Sequence, residues 1–142
     1  MAEFELDRFL PYQLAVLSSR ISQEFSALYR QRFGISVAEW RVVAHLNAAG
    51  TVSVREIHDR VDMDKSKVSR AASRLEAAGY ISKTGHPGDG RLVALALTDK
   101  GRAMIDELAP LARAFEAAVL AKLGDEAAAF RRALDHLLDG DT

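Results

Sequence analysis

Residues 64–80, DKSKVSRAASRLEAAGY, carry the pattern that most restricts how this chain can fold. Asp64 is a favourable N-cap because its carboxylate can accept hydrogen bonds from the free amides of a first helical turn. Three apolar residues then recur at intervals of four and three, which is typical of one narrow buried stripe: Val68, Ala72 and Leu75. Gly79 supplies the left-handed residue that ends such a helix. The pattern therefore predicts a helix resting on a single apolar stripe.

The rest of the surface of this predicted helix is basic and hydroxylated. It consists of Lys65, Ser66, Lys67, Ser69, Arg70, Ser73 and Arg74. No acid stands between Lys65 and Arg74, whereas a solvated helix ordinarily mixes both signs. Short side chains between long cations suit the major groove of DNA, where arginine reaches guanine edges or phosphates. On these residues alone, a solvated basic helix is the alternative interpretation.

The charge of the chain is unevenly distributed. The 142 residues have a net charge of −1, which by itself argues against a nucleic-acid-binding protein. Between Lys65 and Arg91, however, six basic residues stand against two acidic ones, so this segment carries +4 and the remainder −5. A basic patch on an acidic body is the electrostatic footprint of nucleic-acid binding.

The composition excludes several classes of function. The absence of cysteine removes disulfides, thiolate nucleophiles and cysteine-ligated zinc. The sequence shows no nucleophile–base set, no glycine-rich phosphate loop and no metal-like histidine spacing, so we predict no enzyme, cofactor or metal site. No apolar run approaches the roughly 20 residues that span a bilayer, and the N-terminus is acidic. We therefore expect a cytoplasmic protein without a membrane partner.

Helical periodicity precedes the basic helix. Apolar residues recurring every three or four positions predict helices at residues 11–33, 36–47 and 53–61. The second and third open with capping boxes, Ser36 with Glu39 and Ser53 with Glu56. Because a tight link joins the short third helix to the basic one, the pair is predicted to form a helix-turn-helix.

After Gly79 the apolar pattern alternates. Residues 80–84 and 91–98 are predicted strands, and the glycines and proline between them indicate a hairpin tip. A hairpin directly after a recognition helix is a wing. Two further helices follow, from Thr98 to about Leu123 with an expected kink at Pro110, and over residues 126–138.

The long terminal helices have no obvious partner within the winged module, so we expect them to pair with their copies in a second subunit. The predicted fold class is mainly α with a small β-hairpin wing (α+β). Residues 1–35 would form an N-terminal arm and first dimerisation helix, residues 36–98 a winged helix-turn-helix lobe, and residues 99–142 the C-terminal dimerisation helices. Together they make one structural domain.

Over residues 11–138 the element order and sizes resemble the MarR family of winged helix-turn-helix regulators. The most specific part is the wing: Asp89-Gly90-Arg91, then LVALALT, then Asp99-Lys100-Gly101. It is similar to the family pattern of Asp, any residue, Arg, an apolar strand, Leu-Thr, two residues and Gly. The recognition helix also resembles the family in Lys-Ser-x-Val-Ser-Arg, Leu75-Glu76 and Gly79.

The resemblance implies an obligate homodimer that binds a pseudo-palindromic operator, most often as a repressor. It also implies that Arg91 enters the minor groove and that Asp89 holds it there, which a narrow A·T-rich groove would favour. An ordinary hairpin-tip ion pair is the alternative for these two residues. The predicted DNA-binding residues are Lys65, Ser66, Lys67, Ser69, Arg70, Ser73, Arg74, Lys83, Asp89 and Arg91.

The resemblance further implies a small effector, since such regulators often bind aromatic acids between the dimer layer and the DNA-binding lobe. The predicted ligand-binding residues are Tyr12, Arg20, Trp40 and His45. A lone tryptophan at helical spacing is more often a core residue, and the histidine is more often an interior or surface group. A winged-helix module for protein–protein contact or dimerisation, without ligand response, is the competing function.

Overall fold

The computed structural model describes residues 3–61, 63–86 and 89–140, with only the backbone of residues 54, 86 and 89–93. The chain divides into two compact units, Met1–Glu107 and Leu108–Thr142. The fold is mostly helical with a small antiparallel sheet, which confirms the predicted fold class, but the sheet has three strands where the sequence predicted two.

The helices of the first unit follow the local signals of the sequence. They are α1 (Leu10–Phe33), α2 (Val37–Ala49), α3 (Val54–Val61), α4 (Lys65–Ala77) and the start of α5 (Asp99–Ala121), after a short 3₁₀ turn at Leu6–Arg8. Gly34 ends α1 with a φ of 70°. Both predicted capping boxes form: the amides of Glu39 and Glu56 each donate to the preceding serine hydroxyl at 3.2 Å. These helix boundaries confirm the prediction to within about two residues.

The predicted wing is confirmed as an antiparallel hairpin of β2 (Ile81–His86) and β3 (Asp89–Leu97), with Ile81 opposite Leu97. The register shifts between Gly85 and His86. A third strand, β1 (Val52–Ser53), pairs with the other edge of β3. β1 was not predicted, because a strand of two residues is too short to show a period and because Ser53 carries a helix-capping signal.

The core of the first unit lies under α4. The predicted stripe is confirmed, since Val68, Ala72 and Leu75 are at most 1% exposed, and Ala71 joins them. Other buried apolar residues of this unit lie on the helices and strands around α4: Val42, Val43, Leu46, Ile57, Ile81 and Leu95. Because α4 packs against both α2 and α3, its opposite face is left to the solvent.

The second unit contains the rest of α5, which continues through Pro110, then a 3₁₀ turn at Gly124–Glu126 and α6 (Ala127–Asp139). Arg131 of α6 pairs with Glu116 of α5 at 3.0 Å. No residue of α6 is buried, and three of its large apolar side chains are exposed: Phe130, Leu137 and Leu138. None of the helices in the described part of the chain has the length and apolarity to cross a membrane.

Candidate nucleic-acid interface

The first turn of α4 is fixed by Asp64. Its Oδ1 accepts from the Lys67 amide at 2.8 Å and from the Ser66 hydroxyl at 2.7 Å. These hydrogen bonds, the backbone one first, lower the pKa of the Asp64 carboxyl. The cap therefore stays ionised at neutral pH, where a negative group at a helix N-terminus is favourable.

The last turn of α4 is fixed by Gly79, whose φ is 87°. The amide of Tyr80 reaches back to the Leu75 carbonyl at 2.9 Å, so the chain leaves α4 through the left-handed turn that the sequence predicted. Both ends of the basic helix are thus held by local hydrogen bonds, and its orientation depends little on the side chains of its exposed face.

The exposed face of α4 carries all seven residues that the sequence assigned to it: Lys65, Ser66, Lys67, Ser69, Arg70, Ser73 and Arg74. Within the described part of the chain, Lys65, Lys67 and Arg70 form no ion pair. Their side chains are therefore free to contact phosphates or base edges.

Two other cations predicted to bind DNA lie close to side chains of the protein itself. Arg74 Nη1 lies 3.8 Å from Glu39 Oε2 of α2, although the Arg74 side chain is 69% exposed. Lys83 of β2 donates to the Ser73 hydroxyl at 2.9 Å and lies 3.7 Å from Glu76 Oε1. Lys83 thus ties the wing to α4. These contacts were not predicted, because the two residues of each pair lie on different elements.

The wing tip is described only in part. The backbones of Asp89 and Arg91 belong to β3, but their side chains fall outside the described residues. Their pairing and the entry of Arg91 into the minor groove stay predictions.

The carbonyls that follow α4 are held by the start of α5. The Ala78 carbonyl accepts from Lys100 Nζ at 2.6 Å, and the Gly79 carbonyl accepts from the Thr98 hydroxyl at 2.6 Å. Lys100 Nζ also lies 4.6 Å from the centre of the Tyr80 ring, within cation–π range.

Gly101 completes this arrangement, which we call the α4–α5 clamp (Thr98, Lys100 and Gly101). The Tyr80 carbonyl accepts from the Thr98 amide at 3.0 Å. A Cβ on Gly101 would lie 2.2 Å from the same carbonyl oxygen. The family-like Leu-Thr-x-x-Gly pattern therefore has a physical reason here, since only glycine lets α5 approach the end of α4 so closely.

The structure brings together two of the four predicted ligand-binding residues. Tyr12 and Arg20 line a groove of 290 Å³ beside α1. Trp40 stacks on Tyr29, with ring centres 5.4 Å apart, and meets Phe25 edge-on, which is the alternative role considered for it. His45 Nε2 is buried and has no hydrogen-bond partner among the described residues. Those residues also contain no group of three or more side chains suited to hold a metal ion.

Comparison with known sequences places the chain among bacterial regulators. The profile of the MarR family matches residues 33–92, the segment from the end of α1 into β3. The HTH-type transcriptional repressor MdtR of Bacillus subtilis (strain 168) is 32% identical over 96 residues, which cover 68% of this chain and 62% of that protein. The chain therefore spans less than two thirds of the length of this curated relative.

Solved structures agree over more of the chain. A MarR/EmrR family transcriptional regulator from Acinetobacter sp. ADP1 is 30% identical with a TM-score of 0.78, and the match covers 97% of this chain and 100% of that one. Bordetella bronchiseptica BpsR, whose structure is described as a mechanism for regulation of DNA binding by 6-hydroxynicotinic acid, is 26% identical with a TM-score of 0.71, covering 90% and 97%. MdtR and the Acinetobacter protein are both described as transcriptional regulators. The chain belongs to the MarR family.

Proposed function

We propose that this protein is a cytoplasmic homodimeric transcriptional repressor that binds a pseudo-palindromic DNA operator. The observation that carries the proposal is the exposed face of α4 over residues 65–74, which holds no acidic residue and on which Lys65, Lys67 and Arg70 form no ion pair with other described residues. A helix whose ends are both held by hydrogen bonds, and whose basic side chains form no ion pairs, is suited to bind in the major groove.

The residues of this face divide into two roles. Arg70, with Ser66 and Ser69, is assigned to base edges, because arginine pairs with guanine through two hydrogen bonds. Lys65, Lys67 and Arg74 are assigned to phosphates. The first two stand in the first turn of α4, where the free amides of the helix also favour an anion.

Replacing Arg70 and Lys67 separately tests this division. Arg70→Ala is expected to cost about 1–3 kcal/mol and to relax preference at one operator position, because a base contact is lost. Lys67→Ala is expected to weaken binding to all sequences alike and to reduce the slope of log K against log salt by about one unit. Fluorescence anisotropy with operator and mismatched duplexes at several salt concentrations measures both quantities.

Arg113→Ala is the matched control, since Arg113 is an exposed cation on α5 in the second unit. It should leave affinity and salt slope unchanged. A change in sequence preference caused by Lys67→Ala would invert the assignment. Salt-independent binding by the unmodified protein would instead favour the competing function, a winged-helix module for protein–protein contact.

The proposed dimer is supported by apolar side chains that the chain itself leaves uncovered. On α1, Leu10, Leu14 and Leu17 are 55%, 43% and 44% exposed, whereas Phe25 on the same helix is 8% exposed. The N-terminal arm adds Phe4, which is 71% exposed. A contiguous apolar surface of this kind usually marks a protein–protein interface. A second copy of the chain, paired through this surface, would cover it.

The proposal includes release of the protein from its operator when a small aromatic acid binds. In its support, the similar B. subtilis protein is named a repressor, and BpsR is described with 6-hydroxynicotinic acid. Suppose that the acid binds a conformation unable to bind DNA more tightly than the conformation that binds DNA. It would then lower operator affinity, by a factor set by the ratio of its affinities for the two conformations. Operator DNA should then lower the affinity for the acid by the same factor.

A further inference from the structure

The wing is joined to α4 along strand β2. The strand order is β1-β3-β2, so β2 is an outer strand of the sheet and its backbone is paired with β3 alone. The same strand also packs against α4. Because an outer strand has hydrogen-bonded neighbours on one edge only, its position on α4 depends on side chains.

The side chain of Lys83 is directed towards α4. Side chains two residues apart in a strand share a face of the sheet, so Lys83 lies on the same face as Ile81. Ile81 is 2% exposed and belongs to the core under α4. The Lys83 side chain is 26% exposed, which fits a covered aliphatic stem with an ammonium group that reaches the polar surface of the helix.

The ammonium group of Lys83 has two partners on α4. It donates a hydrogen bond to the Ser73 hydroxyl at 2.9 Å and lies 3.7 Å from Glu76 Oε1. Ser73 and Glu76 are three positions apart and therefore neighbours on one side of the helix. Among the described side chains of β2 and β3, only that of Lys83 forms a hydrogen bond or an ion pair with α4.

These contacts lie just before a bend in the wing. The register of β2 on β3 shifts between Gly85 and His86, two residues beyond Lys83. An irregularity of this kind bends a strand and increases its twist. A side chain that fixes β2 immediately before the bend therefore helps to set the direction in which the outer part of the wing leaves α4.

We propose that Lys83 is a positioning residue for DNA binding, which holds the wing at a fixed angle to α4 and does not itself contact DNA. This role replaces the DNA contact predicted for Lys83 from the sequence, and it rests on the proposed function. Major-groove contacts from α4 and a minor-groove contact from Arg91 can form on one duplex only when helix and wing keep a fixed spacing. Fixing that spacing before DNA binds raises affinity, because less freedom is lost on binding.

Glu76→Gln distinguishes the two roles of Lys83 by the sign of its effect. If Lys83 bound a phosphate, removing the neighbouring acid would free its ammonium group and reduce repulsion of DNA, so operator affinity would rise or stay the same. If Lys83 positions the wing, loss of the carboxylate weakens its hold, and affinity should fall by about two- to threefold. Fluorescence anisotropy with the operator duplex at one salt concentration measures the change.

Lys83→Met removes both contacts while keeping the length of the stem. Operator affinity should fall by about five- to tenfold, because a hydrogen bond and an ion pair to α4 are lost together. Glu76→Gln combined with Lys83→Met should bind no more weakly than Lys83→Met alone, since the two residues act through one contact. The thermal midpoint of each variant reports its folding.

Hydrogen exchange of the free ¹⁵N-labelled full chain measures the hold on the wing without DNA. Both Lys83→Met and Glu76→Gln should speed exchange at the hydrogen-bonded amides of β2 and β3, because the hairpin opens locally more often. Exchange at the buried residues Val68 and Leu75 of α4 should stay the same, which separates local opening of the wing from loss of stability.

Glu107→Gln is the matched control. Glu107 on α5 pairs with Arg32 of α1 at 3.4 Å, and its side chain is 53% exposed, compared with 47% for Glu76. This change removes an equally exposed ion pair that does not involve the wing. It should leave both operator affinity and exchange in the wing unchanged.

Unchanged or tighter operator binding by Glu76→Gln would overturn the positioning role, and so would unchanged exchange in the wing of Lys83→Met. A double variant that binds more weakly than Lys83→Met alone would also overturn it, because the two residues would then act separately. Failure of the unmodified protein to bind any duplex would instead overturn the proposed function, on which the exchange rates do not depend.

Discussion

Gly101→Ala is expected to destabilise the protein by about 3 kcal/mol or more, which is at the upper end for overpacking. The new Cβ would lie 2.2 Å from the Tyr80 carbonyl oxygen, a backbone atom that already accepts from the Thr98 amide. That oxygen cannot move away without breaking the α4–α5 clamp. Urea unfolding followed by circular dichroism measures the change in the free energy of unfolding.

Gly85→Ala serves as the control for this prediction. Apart from its two chain neighbours, no atom of the described residues lies within 4 Å of a Cβ built at Gly85, in β2, so this change should have a small effect. If Gly101→Ala were as stable as the unmodified protein, the close approach of α5 to the end of α4 would be wrong.

Leu14→Asp combined with Leu17→Asp is expected to convert the protein from a dimer to a monomer. Both leucines are more than two-fifths exposed on α1, and a charge there would have to be desolvated between two copies of the chain. An obligate interface typically buries roughly 2,000 Å² or more. Losing the second reading helix should lower operator affinity by about 100-fold or more, since two-site binding is lost.

Sedimentation velocity at micromolar concentration measures the mass, and anisotropy measures the DNA affinity. Ser19→Asp combined with Gln23→Asp adds the same charge on the opposite side of α1 and should leave the dimer intact. A monodisperse monomer for the unmodified protein would contradict both the dimer and the paired half-sites.

Local sequence patterns predicted most of the winged helix-turn-helix lobe. The stripe of Val68, Ala72 and Leu75, the cap at Asp64 and the stop at Gly79 depend on residues within four positions of one another, so the sequence alone reveals them. The alternation after Gly79 likewise predicted the wing. These features need no knowledge of the tertiary structure.

The contacts that hold α4 against the neighbouring helices could not be predicted in this way. The pair of Glu39 and Arg74 and the bond from Lys100 to the Ala78 carbonyl join residues that are more than 20 positions apart in the chain. Such contacts exist only after α2, α4 and α5 have packed. The short strand β1 could not be predicted for a similar reason, because only its pairing with β3 makes these two residues a strand.

Selection of DNA duplexes from a random pool by the full-length protein tests the proposed function most directly. Two recognition helices in one dimer must enter successive major grooves about 34 Å apart. The predicted result is an inverted repeat with half-site centres about 10 base pairs apart, bound by two chains and weakened steeply by salt. Enrichment of no sequence, or of a single site bound by one chain, would contradict a homodimer that reads DNA through α4.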